Sequence, residues 1–285
     1  MREPLPVIAR AIAIIMIVAA LSGCRSTETS IIARYPNVQP FNFGIALGPN
    51  QFHIEGYLTQ SAVPGRVPGL LVLNGGEGDA ARCVGMSQGV AAMGIQVACI
   101  SIPGYGQSSG PSRFVGPQSV AAAVRALDLL SERPDVDANR IAVWGLGNGA
   151  VAAGLLMDYD ARPRALILQS GAYDLLTLWP QATWRTKLSI LHEVWPSQRV
   201  LKERSVIQNL PTRLECSVLI LHGDSDTRAP VAQAVRLANA LKARGARVST
   251  VYFPKASHDL GKRVQPELRA FLRENLIDVA PETPS

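Results

Sequence analysis

Arg140-Ile141-Ala142-Val143-Trp144-Gly145-Leu146-Gly147-Asn148-Gly149-Ala150 is the stretch on which the reading of this chain turns. Its first half is an apolar run rich in β-branched residues, the pattern of a buried strand. The run stops abruptly at a glycine cluster. A helical pattern of small apolar residues follows, Ala150-Val151-Ala152-Ala153-Gly154-Leu155-Leu156.

Strand, sharp turn and helix are the setting of the elbow G-x-S-x-G, in which a strained turn lifts a serine above the sheet. Here the motif stands as Gly145-Leu146-Gly147-Asn148-Gly149, so the frame is intact and Gly147 replaces the serine. The central residue of such a turn has positive φ, which costs a side-chain-bearing residue about 1–3 kcal/mol. Glycine largely removes that cost, so Gly147 is expected to relax the turn rather than break it. Asn148 opens the helix, and its backbone N–H is expected to point where an oxyanion would form. The alternative is a dinucleotide-type phosphate turn, but G-x-G-x-x-G requires a further glycine where Val151 or Ala152 stands, and an early position in the chain.

Outward from the elbow, strand and helix patterns alternate. Phe41–Leu47 and Gln51–Tyr57 read as two antiparallel strands, and Gly69–Leu73 as a buried one that ends at Asn74-Gly75-Gly76-Glu77-Gly78. A helix is expected from about Asp79 to Met93, a strand at Ile95–Ile100, and a helix at about Gln118–Ser131. Ala165–Leu168, Ser217–Leu221 and Val248–Phe253 are three more strands; Ala232–Ala243 and Val264–Asn275 are helices. This βαβ alternation predicts an α/β fold, a mostly parallel sheet with helices on both faces. Leu175–Asn209 breaks the rhythm. It carries Trp179, Trp184 and Trp195, three of the four tryptophans, and is too long for a simple crossover. A helical lid insertion at about 175–210 is expected there.

The amino-terminal end reads as a processing segment. Arg2 and Arg10 flank a basic start, Ala11–Leu21 is an unbroken apolar core, and eleven residues fall short of the roughly 20 that span a bilayer. Leu21-Ser22-Gly23-Cys24 resembles a bacterial lipobox, which implies cleavage after Gly23 and a lipidated Cys24. Arg25, rather than an aspartate, favours the outer over the inner membrane. Residues 24–40 are then a tether, 41–276 the domain, and 277–285 a tail. Loss of Arg2, Glu3 and Arg10 lowers the formal charge from +6 to +5. The arginines are scattered without a basic block, so no nucleic-acid partner is indicated. Cys99 and Cys216 read as core residues and Cys83 as a helical one, with no pairing implied. There is no metal-ligand spacing and no cofactor signature.

With these residues in place the chain resembles the α/β-hydrolase superfamily, nearest to dienelactone hydrolases and prolyl-oligopeptidase-type domains. The resemblance covers about Phe41–Asn275. It rests on Asn74-Gly75-Gly76-Glu77-Gly78, Pro103-Gly104-Tyr105-Gly106-Gln107-Ser108, Asp137-Ala138-Asn139-Arg140-Ile141 leading into the elbow, His222-Gly223-Asp224-Ser225-Asp226 with Pro230, and Ser257-His258-Asp259. The family order of nucleophile, acid and base implies Gly147 at the vacant nucleophile position, Asp226 as acid and His258 as base. Asp224 is the rival acid, better placed to cap the turn. The oxyanion hole would use the N–H of Asn148 and one from Gly76 or Glu77. His53, His192 and His222 take structural readings.

Glycine has no atom that attacks a carbonyl. Loss of a triad member leaves roughly 10³–10⁴-fold catalysis in serine proteases. Three explanations follow: a non-catalytic or strongly impaired hydrolase that binds a small-molecule or peptide ligand or a partner, a hydrolase whose Asp226–His258 pair activates water, and a surrogate nucleophile such as Ser170. Ser170 was not placed by an elbow and reads better as a turn serine.

Overall fold

The computed structural model describes residues 28–76 and 78–278. The processing segment, Cys24, Glu77 and residues 279–285 lie outside them. The strands are β1 (Val38–Leu47), β2 (Asn50–Thr59), β3 (Val67–Asn74), β4 (Gln96–Ser101), β5 (Val136–Leu146), β6 (Ala165–Gln169), β7 (Ser217–Gly223) and β8 (Arg247–Phe253). They make one sheet in the order β1-β2-β4-β3-β5-β6-β7-β8. β1 and β2 pair antiparallel, as do β2 and β4; every other pairing is parallel.

β3, β4, β6 and β7 are buried at every position, which is why they read as continuous apolar runs. Alternate side chains feed two cores. Leu71, Leu73, Val143, Leu168 and Ile220 pack against α2 (Pro117–Ser131), α3 (Asn148–Leu156) and α7 (Ala232–Lys242). Leu70, Val72, Trp144, Ile167 and Leu221 pack against α1 (Ala80–Ala91) and α8 (Gln265–Leu272). The expected α/β architecture is the observed one.

Three expectations need correction. The tether is shorter than 24–40: residues 28–34 are helical, Ile31 and Tyr35 pack on the second core, and β1 begins at Val38. The closing helix is segmented into a 3₁₀ turn (Gly261–Val264), α8 and a π-type turn (Arg273–Ile277). Cys83 and Cys99 are joined by a disulfide across 16 residues. Each was correctly assigned to a helix or a strand, but only the docking of α1 on β4 brings their Cα atoms to 6.1 Å.

The insertion is helical. It comprises α4 (Leu175–Gln181), α5 (Trp184–Glu193), α6 (Gln198–Glu203) and a 3₁₀ turn at Val206–Asn209. Its underside is a small core of Phe114, Leu175, Leu178, Ile190, Leu201 and Ala229, with Trp179 packed against it. Two of its three tryptophans do not cover the sheet. Trp184 and Trp195 are 70% and 77% exposed.

Candidate active site

Register sets the stage. Asn74, Leu146, Gln169 and Leu221 are successive partners across β3, β5, β6 and β7, so β3, β5 and β6 end level with one another and β7 runs two residues further. Gly75, Gly147, Ser170 and His222 are the next residues along, on one edge of the sheet. That edge is where an open α/β sheet places its ligands.

Gly147 sits at φ 56°, ψ −116°, between β5 and α3. Glycine occupies that region without the steric cost other residues bear. A Cβ on Gly149, by contrast, would lie 1.9 Å from the Leu73 carbonyl oxygen, so only glycine lets α3 pack this closely on β3. A Cβ on Gly147 would lie 3.5 Å from His258 Nε2, an ordinary contact. The elbow expected from sequence is built, and its apex faces His258.

His258 lies in the loop after β8, partly exposed, and its Nδ1 is 2.8 Å from Asp226 Oδ2. Asp226 is buried. Its Oδ1 accepts the N–H groups of Arg228 (2.8 Å) and Ala229 (3.0 Å), and its Oδ2 lies 3.4 Å from His222 Nε2. Burial alone would raise its pKa. The bonds from His222, His258 and the Ala229 N–H outweigh burial and hold the carboxyl well below the usual carboxylate range. The rival, Asp224, is exposed and spends Oδ1 on the Lys255 N–H (2.7 Å) and the Ser225 hydroxyl (2.8 Å). Its geometry is that of a turn cap.

Sequence reasoning missed three participants. His222 was read as merely structural, yet it is fully buried and its Nε2 also meets the Ala229 carbonyl at 2.7 Å. Its position four residues before Asp226 was the available signal. Tyr105 was quoted only as part of a motif. Its hydroxyl accepts Asn148 Nδ2 at 2.7 Å and donates to Glu193 Oε2 at 2.9 Å. Burial, reinforced by the Glu193 charge, pushes the Tyr105 phenol above its ordinary range. Glu193 itself ends α5 and also accepts the Phe114 N–H at 2.8 Å, so one insertion carboxylate ties the elbow, the 103–108 loop and the lid together. No local sequence pattern marks that contact.

The remaining candidates fall as follows. Gly76 has φ +69° in the turn after β3, and Gly75 beside it is so close to α3 that a Cβ there would lie 3.1 Å from Asn148 Cβ. Glu77 is outside the described residues. Ser170 has φ 54°, and its buried hydroxyl has no hydrogen-bond partner among the described residues. His53 and His192 are exposed.

Gly76, Gly147, Asn148, Ser170 and His258 open on one cavity of about 1000 Å³. Its walls include Arg82 and Met86 of α1 and Thr186, Ile190 and Glu193 of α5. Gly147 stands at the junction of sheet edge and lid. An acid–base pair here can take a proton from a group held above Gly147, and the cavity can hold a ligand the size of a short peptide.

The prolyl oligopeptidase family model matches residues 87–275, more than half of the chain. The chain is 28% identical over 172 residues to the uncharacterized peptidase YuxL of Bacillus subtilis, covering 58% of this chain and 26% of that protein. It is 27% identical over 181 residues to the acylamino-acid-releasing enzyme of Mus musculus, covering 59% and 24%. The chain thus spans about a quarter of each relative's length. Among solved structures, 2,6-dihydroxy-pseudo-oxynicotine hydrolase superposes with a TM-score of 0.69 at 21% identity, over 85% of this chain and 70% of that one. The shared fold is the α/β-hydrolase fold.

Proposed function

We propose, from the premise that the chain belongs to the prolyl oligopeptidase family, that it is a disarmed hydrolase: a serine-peptidase-like or esterase-like site without its nucleophile, used to bind a small-molecule or peptide ligand. One observation carries this reading. Gly147 occupies the apex of an intact elbow, 3.5 Å from His258 Nε2 when extended by one Cβ, while His258 remains bonded to a buried Asp226. Asp226 is the acid and His258 the base of the ancestral reaction. The backbone N–H of Asn148, with one from Gly76 or Glu77, is the oxyanion hole. The peptidase names among the relatives support bonds of the amide or ester class.

A second reading has its own support. The space between Gly147 and His258 Nε2 matches a hydroxyl, and a water held there by His258 would be activated as a general base activates any bound water. Hydrolysis of nitrophenyl esters by the native chain, His258→Ala and Gly147→Ser separates the two. The disarmed site gives no His258-dependent turnover until Gly147→Ser restores it. Native turnover that His258→Ala abolishes overturns the disarmed reading and leaves an activated water or a surrogate nucleophile such as Ser170.

We also place the chain in the cell envelope, lipid-anchored at Cys24 and at the outer membrane. The lipobox-like Leu21–Cys24 and Arg25 support this, and so does the buried Cys83–Cys99 disulfide, a bond that persists in oxidising compartments. Among the described residues no helix is long and apolar enough to cross a membrane. Mass spectrometry of the mature amino terminus tests it: a diacylated or triacylated Cys24 is expected.

A further inference from the structure

We infer that the outer face of the insertion docks on a phospholipid surface and holds the cavity against the bilayer. The observation is a division of one helix into two faces. Thr186, Ile190 and Glu193 of α5 line the cavity, at the i, i+4, i+7 spacing of a single helical stripe. Trp184, Leu188 and Leu191 form the opposite stripe and are 70%, 58% and 41% exposed, with Trp195 beside them at 77%. Four of the ten exposed large hydrophobic residues among the described residues therefore fall within twelve positions. Single exposed apolar residues need no explanation, but a contiguous cluster marks an interaction site.

The chemistry of the patch selects the partner. Tryptophan and leucine on one side of a helix, with cations at its edge, is the composition of elements that lie in a membrane interface. Arg185, which also lines the cavity, stacks over the Trp184 ring at 5.3 Å; Lys187, whose Nζ donates to the Pro180 carbonyl, lies over Trp179 at 5.9 Å, and Lys202 follows on α6. The nearby carboxylates are engaged inward or laterally: Glu193 by Tyr105 and Phe114, Glu203 by Arg199 and Arg204. The patch thus offers indoles and apolar side chains bordered by positive charge, complementary to anionic headgroups.

Tether length supports the same occupant, and here the inference rests on the envelope reading above. Helix 28–34 packs on the second core through Ile31, so only residues 25–27 separate Cys24 from the folded domain. Four extended residue steps reach about 14 Å, so a lipidated Cys24 holds the domain at the bilayer surface. The acyl chains of a lipidated Cys24 attach the domain, and the patch sets which face it turns to the bilayer.

The full chain, reconstituted in phosphatidylcholine–phosphatidylglycerol vesicles with and without brominated acyl chains, tests the proposal. Residues 1–27 contain no tryptophan, and Trp144 is buried. Trp184 and Trp195 are two of four indoles, so brominated lipid is expected to remove about half of the emission, as for interfacial residues. The Trp184→Ala/Trp195→Ala variant, changed only at exposed positions, is expected to lose that quenching. Flotation of the same vesicles reads the anchor separately. Flotation without quenching overturns the docking surface and leaves the anchor standing. Quenching that persists in the double variant, or a blue shift that depends on protein concentration and not on bromine, also overturns it, the latter in favour of a second copy of the chain. A chain that neither floats nor quenches defeats both readings.

Discussion

His258 Nε2 lies 3.5 Å from the point that a Cβ on Gly147 would occupy, with His258 Nδ1 bonded to Asp226 on its other side. A hydroxyl carried by that Cβ would stand beside the imidazole. The geometry is that of an acid–base pair facing the apex of the turn.

In a Gly147→Ser background, His258→Ala is expected to abolish ester turnover and Asp226→Asn to lower kcat by several orders of magnitude. Loss of the orienting carboxylate costs about 10⁴-fold in a serine protease triad. Steady-state kinetics on a nitrophenyl acetate series reads both. Undiminished turnover in His258→Ala would mean that the serine acts with some other base.

Stability is expected to fall on acidification. The folded-state pKa of Asp226 is depressed, so the unfolded chain binds more protons than the folded one between the two pKa values. The contribution is fully present above the unfolded carboxylate value of about 3.9 and is lost as pH falls below it. Urea titrations from pH 6 to pH 3 are expected to show this decline, and Asp226→Asn to flatten it. An unchanged pH slope in that variant would contradict the bonding seen around Asp226.

Glu193→Gln is expected to loosen the insertion. The charged acceptor of the Tyr105 hydroxyl and the Phe114 N–H is lost, at about 1.5–3 kcal/mol for bonds to a charged group. Hydrogen exchange in 182–195 is expected to quicken while the sheet strands stay protected. Uniform acceleration across the sheet would count against a local fastening.

Reduction of Cys83–Cys99, or Cys83→Ala, is expected to destabilise the chain by about 3 kcal/mol, the loop-closure value for a span near 16 residues. Calorimetry with and without dithiothreitol measures it. A melting temperature indifferent to reductant would show that the bond does not form in solution.

Much of this was legible in the sequence because short-range rules govern it. Strands buried on both faces read as unbroken apolar runs, and the Gly145–Gly149 frame announced a turn that only glycine satisfies. Chain order pointed to Asp226 and His258, which the fold brings to 2.8 Å, and the turn pattern pointed to the capping bonds of Asp224. What escaped depended on distant segments meeting. Glu193 and Tyr105 are 88 residues apart, and Cys83 and Cys99 meet only once α1 is laid on β4. The outward position of Trp184 and Trp195 was not legible either, because a helix with two apolar stripes needs only one of them for packing.

The central claim, that the site is complete but for its nucleophile, is tested most directly by fluorophosphonate labelling of the native chain, Gly147→Ser, and Gly147→Ser/His258→Ala, read by peptide mass spectrometry. The expected result is no label on the native chain, near-stoichiometric label at position 147 in the single variant, and label lost when His258 is removed. Label on Ser170 of the native chain, or an inert Gly147→Ser that retains its fold, would contradict it.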